Sequence, residues 1–184
     1  MLNLDQILLK NDSILISGAS GFIGFNFARY VLENSNIKIY AYRDKEINTN
    51  NNVRIKELLD YENFHIINSK NVHTIDDPIL AVVNFASFGV DASQKDIHDL
   101  LDGNIAFAIK LTGIAKEFNA KFVHTATCYE YLDTKQNLEE CDALSPDSLY
   151  GAFKAASAII LKQVCKAEDL NCVILRLFGV YGPN

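Results

Sequence analysis

Tyr150 and Lys154 are the two side chains best suited to move a proton, and they lie four residues apart in the stretch 148–166. That stretch has the apolar periodicity of a helix, so both side chains are expected on one helical face. A nearby ammonium group would stabilise a phenolate and lower the pKa of Tyr150. Such a phenol could exchange protons with a hydroxyl or carbonyl group near neutral pH. The same pair also occurs on ordinary helix surfaces, and alone it predicts no site.

A second polar cluster, which includes Thr127, directly follows a predicted strand at 121–126. Hydroxyls at the end of a strand can project into a cleft, where they could hydrogen-bond a ligand. Thr127 alone could equally be an ordinary turn residue. Its interpretation therefore depends on the elements that surround it.

Three glycines form the motif that organises the chain: Gly18, Gly21 and Gly24 follow a short apolar run that begins at Ser13. An amphipathic stretch comes next, so the pattern predicts a buried strand, a tight turn and a helix. Unpaired N–H groups and the positive end of the helix dipole would point at one spot, which suits a phosphate. Although the spacing is GxxGxxG and not GxGxxG, the flanking elements favour a dinucleotide site over a purely structural turn. The predicted cofactor contacts here are Gly18, Ser20, Gly21, Phe22, Ile23 and Gly24.

Strand and helix patterns alternate along the rest of the chain. Further strands are predicted at 37–42, 64–67, 80–86, 121–126 and 171–177, and helices at 54–59, within 93–101, from Asn104 onward and at 148–166, with a polar loop at 48–52. This alternation predicts an α/β fold: a Rossmann-like, doubly wound parallel sheet with helices on both faces and strand order 3-2-1-4-5-6. Ligands of such sheets bind beside the ends of strands 1 and 4. Phe85, Ala86 and Ser87 therefore join the predicted cofactor site.

Composition limits the classes of protein to consider. A length of 184 residues favours about one domain. The net charge of −6 and the lack of a basic run argue against a nucleic-acid partner. The four cysteines show no metal-ligand spacing, which predicts reduced thiols, no metal site and a cytoplasmic location. No stretch reaches the roughly 18 apolar residues of a membrane span, and residues 1–11 lack the pattern of a signal peptide.

Taken in order, these motifs resemble the extended short-chain dehydrogenase/reductase family, and within it the NAD-dependent epimerase/dehydratase group that acts on nucleotide sugars. The resemblance covers 14–183, and its last part, 176–183, is similar to the RxxxxYGP segment of that family. It implies that Tyr150 is the catalytic acid/base and that Thr127 hydrogen-bonds the substrate oxygen. It also implies that Lys154 binds the nicotinamide ribose and tunes Tyr150, with Asn104 as the supporting asparagine.

The chain departs from the family pattern at the end of strand 2 and in the turn after Thr127. Where members that use NAD carry an acidic residue at the end of strand 2, this sequence has Tyr42, followed by Arg43. An arginine there can hold a 2′-phosphate, which favours NADP over NAD, although Arg43 could instead be a solvated neighbour of Asp44. Cys128 and Tyr129 replace the Asp-Glu pair of the dehydratases, and this disfavours a 4,6-dehydratase.

The resemblance implies a nucleotide-sugar epimerase or 4-ketoreductase that uses NAD or NADP. Family members usually continue past this point into a lobe that holds the nucleotide sugar, so 1–184 is expected to be the NAD(P)-binding Rossmann domain without that lobe. Two alternatives remain open: a module that binds NAD(P) without turnover, and a non-catalytic redox sensor. The resemblance further implies a homodimer formed through the helices at 104–118 and 148–166.

Overall fold

Six parallel strands form one sheet in the computed structural model, which describes residues 12–44, 52–91, 93–132 and 137–182. The strand order is β3-β2-β1-β4-β5-β6, which confirms the predicted fold and topology. The predictions for residues 1–11, for most of the loop at 48–52 and for Pro183 lie outside the described residues. The strands are β1 (Ser13–Ser17), β2 (Lys38–Tyr42), β3 (Phe64–Ile67), β4 (Ile79–Asn84), β5 (Lys121–Thr127) and β6 (Cys172–Leu177).

Helices cover both faces of this sheet, as the alternating pattern predicts. They are α1 (Phe22–Asn34), α2 (Val53–Leu59), α3 (Ile97–Leu101), α4 (Phe107–Glu117) and α5 (Leu149–Ala167). Two short 3-10 turns, Val72–Thr74 and Cys128–Glu130, were not predicted from the sequence. No helix in the described ranges is both long and apolar enough to cross a membrane.

Asn104 corrects one predicted boundary, because it does not open a helix. A π-helical turn, Asp102–Ala106, joins α3 to α4 in one continuous helical run, and Asn104 lies inside it. The carbonyl of Asn104 accepts a hydrogen bond from the hydroxyl of Ser157 in α5 (2.7 Å). This turn therefore fixes the run against α5.

Two hydrophobic clusters make the core, one on each side of the sheet. Alternate residues of a strand point to opposite faces, so Leu15 joins the cluster with α4 and α5, and Ile16 joins the cluster with α1 and α2. All five residues of β1 are buried, which explains why this strand is an almost unbroken apolar run. The two clusters fix the strand ends, where the polar side chains of the site are found.

Candidate active site

The glycine turn connects β1 to α1, and each of its glycines has a different structural role. Gly18 has φ +75°, and a Cβ there would lie 2.6 Å from the backbone nitrogen of Ala86. A Cβ on Gly24 would collide with the carbonyl oxygen of Gly18. Gly21 is the N-cap of α1 in an ordinary extended conformation, and a Cβ there would meet only the Gly18 oxygen, at 3.3 Å. Gly18 and Gly24 are thus needed by the fold, whereas Gly21 keeps space free at the helix terminus.

A cleft of about 620 Å³ lies above this turn, at the carboxyl edge of the sheet. Every predicted cofactor contact except Arg43 lines it. The first turn of α1 lines it too, and no acidic side chain occupies that turn. Because the first N–H groups of a helix have no partner within the helix, this wall of the cleft suits an anion such as a pyrophosphate. The predicted residues in the lining are Gly18, Ser20, Gly21, Phe22, Ile23, Gly24, Phe85, Ala86, Ser87, Thr127, Tyr150 and Lys154.

Thr127 ends β5 and faces the cleft because a capping box holds it in place. Its hydroxyl accepts a hydrogen bond from the Tyr129 N–H (3.3 Å), and its own N–H donates to the Glu130 carboxylate (3.2 Å). Glu130 is fully buried, and its other carboxylate oxygen accepts from Nε of Arg176 (2.8 Å). The loop that carries Thr127 is therefore fastened to β6 by a buried ion pair.

Tyr150 lies in the first turn of α5, with its hydroxyl oxygen 3.5 Å from the Ser87 hydroxyl. Burial is the main cause that raises the pKa of Tyr150, and the charges of Glu130 and Cys128 raise it too. Hydrogen bonds with Ser87 and Thr127 act in the opposite direction. The predicted lowering of this pKa by Lys154 is wrong for the free chain, because desolvation dominates. The phenol is therefore protonated at neutral pH and can act first as an acid.

Lys154 is one helical turn further along α5 and is 1% exposed. Its ammonium nitrogen donates to the carbonyl of Thr125 (2.7 Å) and lies 3.4 Å from Nε2 of His124. Burial lowers the pKa of Lys154 to about 8, and the Glu130 charge opposes that shift. Lys154 also lines the cleft, so a buried network of hydrogen bonds holds a side chain at the wall of the candidate site.

Asn104 is buried below the cleft and does not line it. Its side-chain oxygen accepts from the Ser87 hydroxyl (3.0 Å) and the Phe88 N–H (3.1 Å). Its amide nitrogen donates to the carbonyls of Phe88 (2.9 Å) and Leu100 (3.0 Å). Asn104 thus fixes the loop after β4 and, through Ser87, the surroundings of the Tyr150 hydroxyl.

Arg43 follows β2 and is the one predicted cofactor contact outside the lining of the cleft. Both outer nitrogens of its guanidinium group are buried and have no hydrogen-bond partner. Burial lowers the pKa of Arg43. The neighbouring acid, Asp44, accepts from Lys110 (2.7 Å) and from the Tyr42 hydroxyl (2.7 Å). A carboxylate engaged in this way is a poor acceptor for ribose hydroxyls, whereas Arg43 has donors to spare.

Sequence reasoning missed His124 and Glu130, which are both fully buried beneath the site. His124 follows Phe122 by two residues in β5, so its ring points to the α5 side of the sheet. A histidine at an inward position of an apolar strand is the signal that could have revealed it. Among the described residues, no group of three or more potential metal ligands is present.

Solved structures share the fold of this chain. A UDP-glucuronic acid 4-epimerase from Bacillus cereus, solved with UDP-glucuronic acid and NAD, has a TM-score of 0.80 and 27% identity, covering 93% of this chain and 58% of that one. A dTDP-glucose 4,6-dehydratase from Bacillus anthracis, solved with NAD, has a TM-score of 0.74 and 26% identity, covering 93% of this chain and 56% of that one.

Curated relatives match more than nine-tenths of this chain. The low-salt glycan biosynthesis protein Agl12 of Haloferax volcanii is 26% identical over 179 residues, which are 93% of this chain and 57% of that protein. GDP-mannose 3,5-epimerase 1 of Oryza sativa subsp. indica is 24% identical, over 92% of this chain and 47% of that protein. The chain thus spans about half the length of the curated relatives it matches. The profile of the NAD-dependent epimerase/dehydratase family matches residues 14–184, and the chain belongs to that family.

Proposed function

We propose that this protein binds NAD(P) in the cleft and acts on a nucleotide sugar, as an epimerase or a 4-ketoreductase. The observation that carries the proposal is that Thr127, Tyr150 and Lys154 line the same cleft as the glycine turn. The glycine turn offers N–H groups to a pyrophosphate, and the other three side chains offer groups that hold and protonate a sugar oxygen. Two relatives of this chain are nucleotide-sugar epimerases by name, and one of them was solved with UDP-glucuronic acid and NAD.

The residues take the following roles in this proposal. The Thr127 hydroxyl holds the reacting sugar oxygen, and the Tyr150 hydroxyl gives it a proton or takes one away. Lys154 hydrogen-bonds the nicotinamide ribose. The bound nicotinamide supplies the hydride chemistry. Because burial keeps Tyr150 protonated, the free chain is ready to protonate a ketone oxygen, which is the direction of a reduction.

The choice between dehydration and epimerisation or reduction depends on the turn after Thr127. Elimination of water from a sugar needs a carboxylic acid near the substrate. The two residues that follow Thr127 are Cys128 and Tyr129, and the carboxylate in this turn, Glu130, is fully buried against Arg176. This arrangement favours epimerisation or reduction over dehydration.

A second candidate is an NAD(P)-binding domain that holds the cofactor without turning over a sugar. The glycine turn and the first turn of α1 favour it, because they offer a place for a pyrophosphate without any contribution from a sugar. A fluorescence titration with NADPH, followed by an assay for turnover of a nucleotide sugar, separates the two candidates. Binding without turnover supports the domain, and binding with turnover supports the enzyme.

Replacing Gly21 by valine is expected to abolish cofactor binding without unfolding the chain. The conformation of Gly21 is open to any residue, but its side chain would fill the space at the start of α1. Each lost hydrogen bond to a phosphate costs about 1.5–3 kcal/mol, or about 10- to 150-fold in affinity, so the loss of two should weaken binding at least about 100-fold. The matched control is Gly113→Val in α4, where a Cβ meets nothing within 4 Å. Parental NADPH affinity in Gly21→Val would show that the cofactor binds elsewhere.

Arg43 supports NADP as the preferred cofactor, because its outer guanidinium nitrogens are buried without a hydrogen-bond partner. Arg43→Ala should weaken NADPH by about 10- to 100-fold, the value of a charge-assisted hydrogen bond to a phosphate, and NADH much less. Both affinities come from fluorescence titration. Arg29→Ala is the control, because Arg29 pairs with Glu57 and does not line the cleft. Equal losses for the two cofactors would remove Arg43 from the 2′-phosphate site.

We also propose a homodimer that buries α4 and α5 against the same helices of a second copy. Each of these helices has an exposed isoleucine, Ile109 at 38% and Ile159 at 56% exposure. Light scattering of the parent should give twice the chain mass, and Ile159→Asp should give a monomer. Val53→Asp, at an exposed apolar position of α2, should stay dimeric. A parental mass of one chain at all concentrations would refute the dimer.

A further inference from the structure

A buried chain of hydrogen bonds runs beneath the cleft from β1 to α5. The Ser17 hydroxyl donates to the Asn84 side-chain oxygen (2.6 Å), and the Asn84 amide nitrogen contacts Nδ1 of His124 (3.0 Å). Nε2 of His124 then faces the Lys154 amine (3.4 Å). All four side chains are at most 1% exposed, so water cannot replace a missing partner.

The direction of these hydrogen bonds follows from one backbone group. The Asn84 side-chain atom that accepts a hydrogen bond from the Ser17 hydroxyl also lies 3.1 Å from the Ala86 backbone nitrogen. The N–H of Ala86 points at this atom. An N–H can only donate, so that atom must be the Asn84 oxygen. The other Asn84 atom is therefore the amide nitrogen, which donates to Nδ1 of His124. A neutral His124 ring must then carry its hydrogen on Nε2.

This tautomer places a donor opposite Lys154. An ammonium group has only donors, so the contact with Nε2–H is favourable only when the Lys154 amine has a lone pair free. Lys154 meanwhile donates to the Thr125 carbonyl, which an uncharged amine can also do. Of the charged groups that act on Lys154, Glu130 from the turn after β5 favours the ammonium form. Tyr150, one turn earlier on α5, is protonated at neutral pH and adds no charge.

We propose that His124 is a positioning residue whose fixed Nε2–H favours the uncharged form of Lys154. Burial acts in the same direction and lowers the pKa of Lys154 to about 8. The functional consequence rests on the proposed function, in which Lys154 lies beside the nicotinamide ribose. An ammonium there repels the cationic oxidised nicotinamide more than the neutral reduced ring, so the ratio of NADP⁺ to NADPH affinity should rise as pH rises through 8.

The first test uses the parental chain alone. Nitrogen-15 NMR of the histidine rings should show His124 with Nδ1 unprotonated and Nε2 protonated, without change between pH 5.5 and 9. A hydrogen on Nδ1, or a doubly protonated ring at pH 7, would overturn the proposal. This measurement needs neither a variant nor a cofactor.

The second test follows the Lys154 amine by carbon-13 and nitrogen-15 NMR, with Lys154→Met to assign its signals. The parental amine should titrate near pH 8. His124→Phe removes the Nε2–H and should raise that midpoint by about half to one unit, since about one weak hydrogen bond is lost. His124→Gln can accept from Asn84 and still point an N–H at Lys154, so its midpoint should match that of the parent. An unchanged midpoint in His124→Phe would overturn the role of His124.

A third measurement separates this inference from the proposed function. If the affinity ratio of NADP⁺ to NADPH is independent of pH while both NMR results hold, then His124 controls Lys154 but the amine does not lie beside the nicotinamide. In that case the proposed role of Lys154 at the ribose is the part that fails. If the NMR results fail, the coupling is refuted whatever the cofactor does.

Discussion

Tyr150→Phe is expected to lower the turnover of a nucleotide sugar by about 10²–10⁴-fold, the usual contribution of a positioned acid or base. The change removes one hydroxyl and keeps the ring, which packs edge-on against Tyr129 with 6.3 Å between centroids. That hydroxyl lies 3.5 Å from the Ser87 hydroxyl and is the group we propose to move the proton. Affinity for NADPH should change little, because the phosphate contacts come from the glycine turn.

Tyr129→Phe is the matched control, because it removes a hydroxyl from a neighbouring ring that lines the same cleft. Turnover is measured by NMR of the sugar product, with variants made in a protein that has measurable turnover before mutation. Affinity for NADPH is measured by fluorescence titration. Lys154→Met should lower affinity as well as turnover, because its amine is proposed to hold the nicotinamide ribose and so to position the cofactor for the reaction. Parental turnover in Tyr150→Phe, or an equal loss in Tyr129→Phe, would contradict the assignment of Tyr150.

The sequence was sufficient to predict the sheet and which predicted site residues lie together at its carboxyl edge. Alternating apolar and amphipathic stretches are local patterns, and a parallel α/β sheet brings the carboxyl ends of its strands to one edge. The glycine turn after β1, Ser87 after β4 and Thr127 at the end of β5 therefore had to meet, although they are far apart in the chain. No such local pattern marks the π-helical turn around Asn104, because contacts with Ser87, Phe88 and α5 hold it.

The pKa shifts of the site residues could not be predicted from the sequence in the same way. The spacing of Tyr150 and Lys154 predicted a stabilised phenolate, but spacing gives neither the depth of burial nor the partners of a side chain. In the structure Lys154 reaches the Thr125 carbonyl and His124, and burial raises the pKa of Tyr150. Desolvation is a property of the packed interior, so only the three-dimensional structure could show it.

Arg43, which lies after β2 and outside the lining of the cleft, shows the same limit. Its place after β2 was readable from the sequence, and so was the suitability of a guanidinium group for a 2′-phosphate. The sequence could not show that Asp44, the nearest acid, is bound by Lys110 and the Tyr42 hydroxyl. That contact bridges β2 and α4 across many residues, and it strengthens the argument for NADP.

Acid is expected to destabilise the chain through His124, and this effect should begin well above the range in which carboxylates titrate. Burial, followed by the nearby charge of Lys154, lowers the pKa of His124 to about 3, against 6.5 ordinarily. Between these two values the unfolded chain binds a proton that the folded chain does not. The contribution of neutral His124 to the free energy of unfolding is therefore fully present above pH 6.5. Below that value it decreases by about 1.4 kcal/mol per pH unit. Lys154, lowered to about 8 from 10.5, makes its own contribution only at higher pH.

Urea unfolding at pH 7, 6 and 5 measures this loss, which should reach about 2 kcal/mol at pH 5, a large part of an ordinary domain's stability. His124→Gln lacks the titrating ring and should show a pH slope smaller by one proton. If His124→Gln and the parent lose stability equally between pH 7 and 5, then His124 is not the buried neutral histidine on which the acid sensitivity depends. The comparison of His124→Gln with the parent thus isolates one proton on one ring, because the carboxylates are common to both chains.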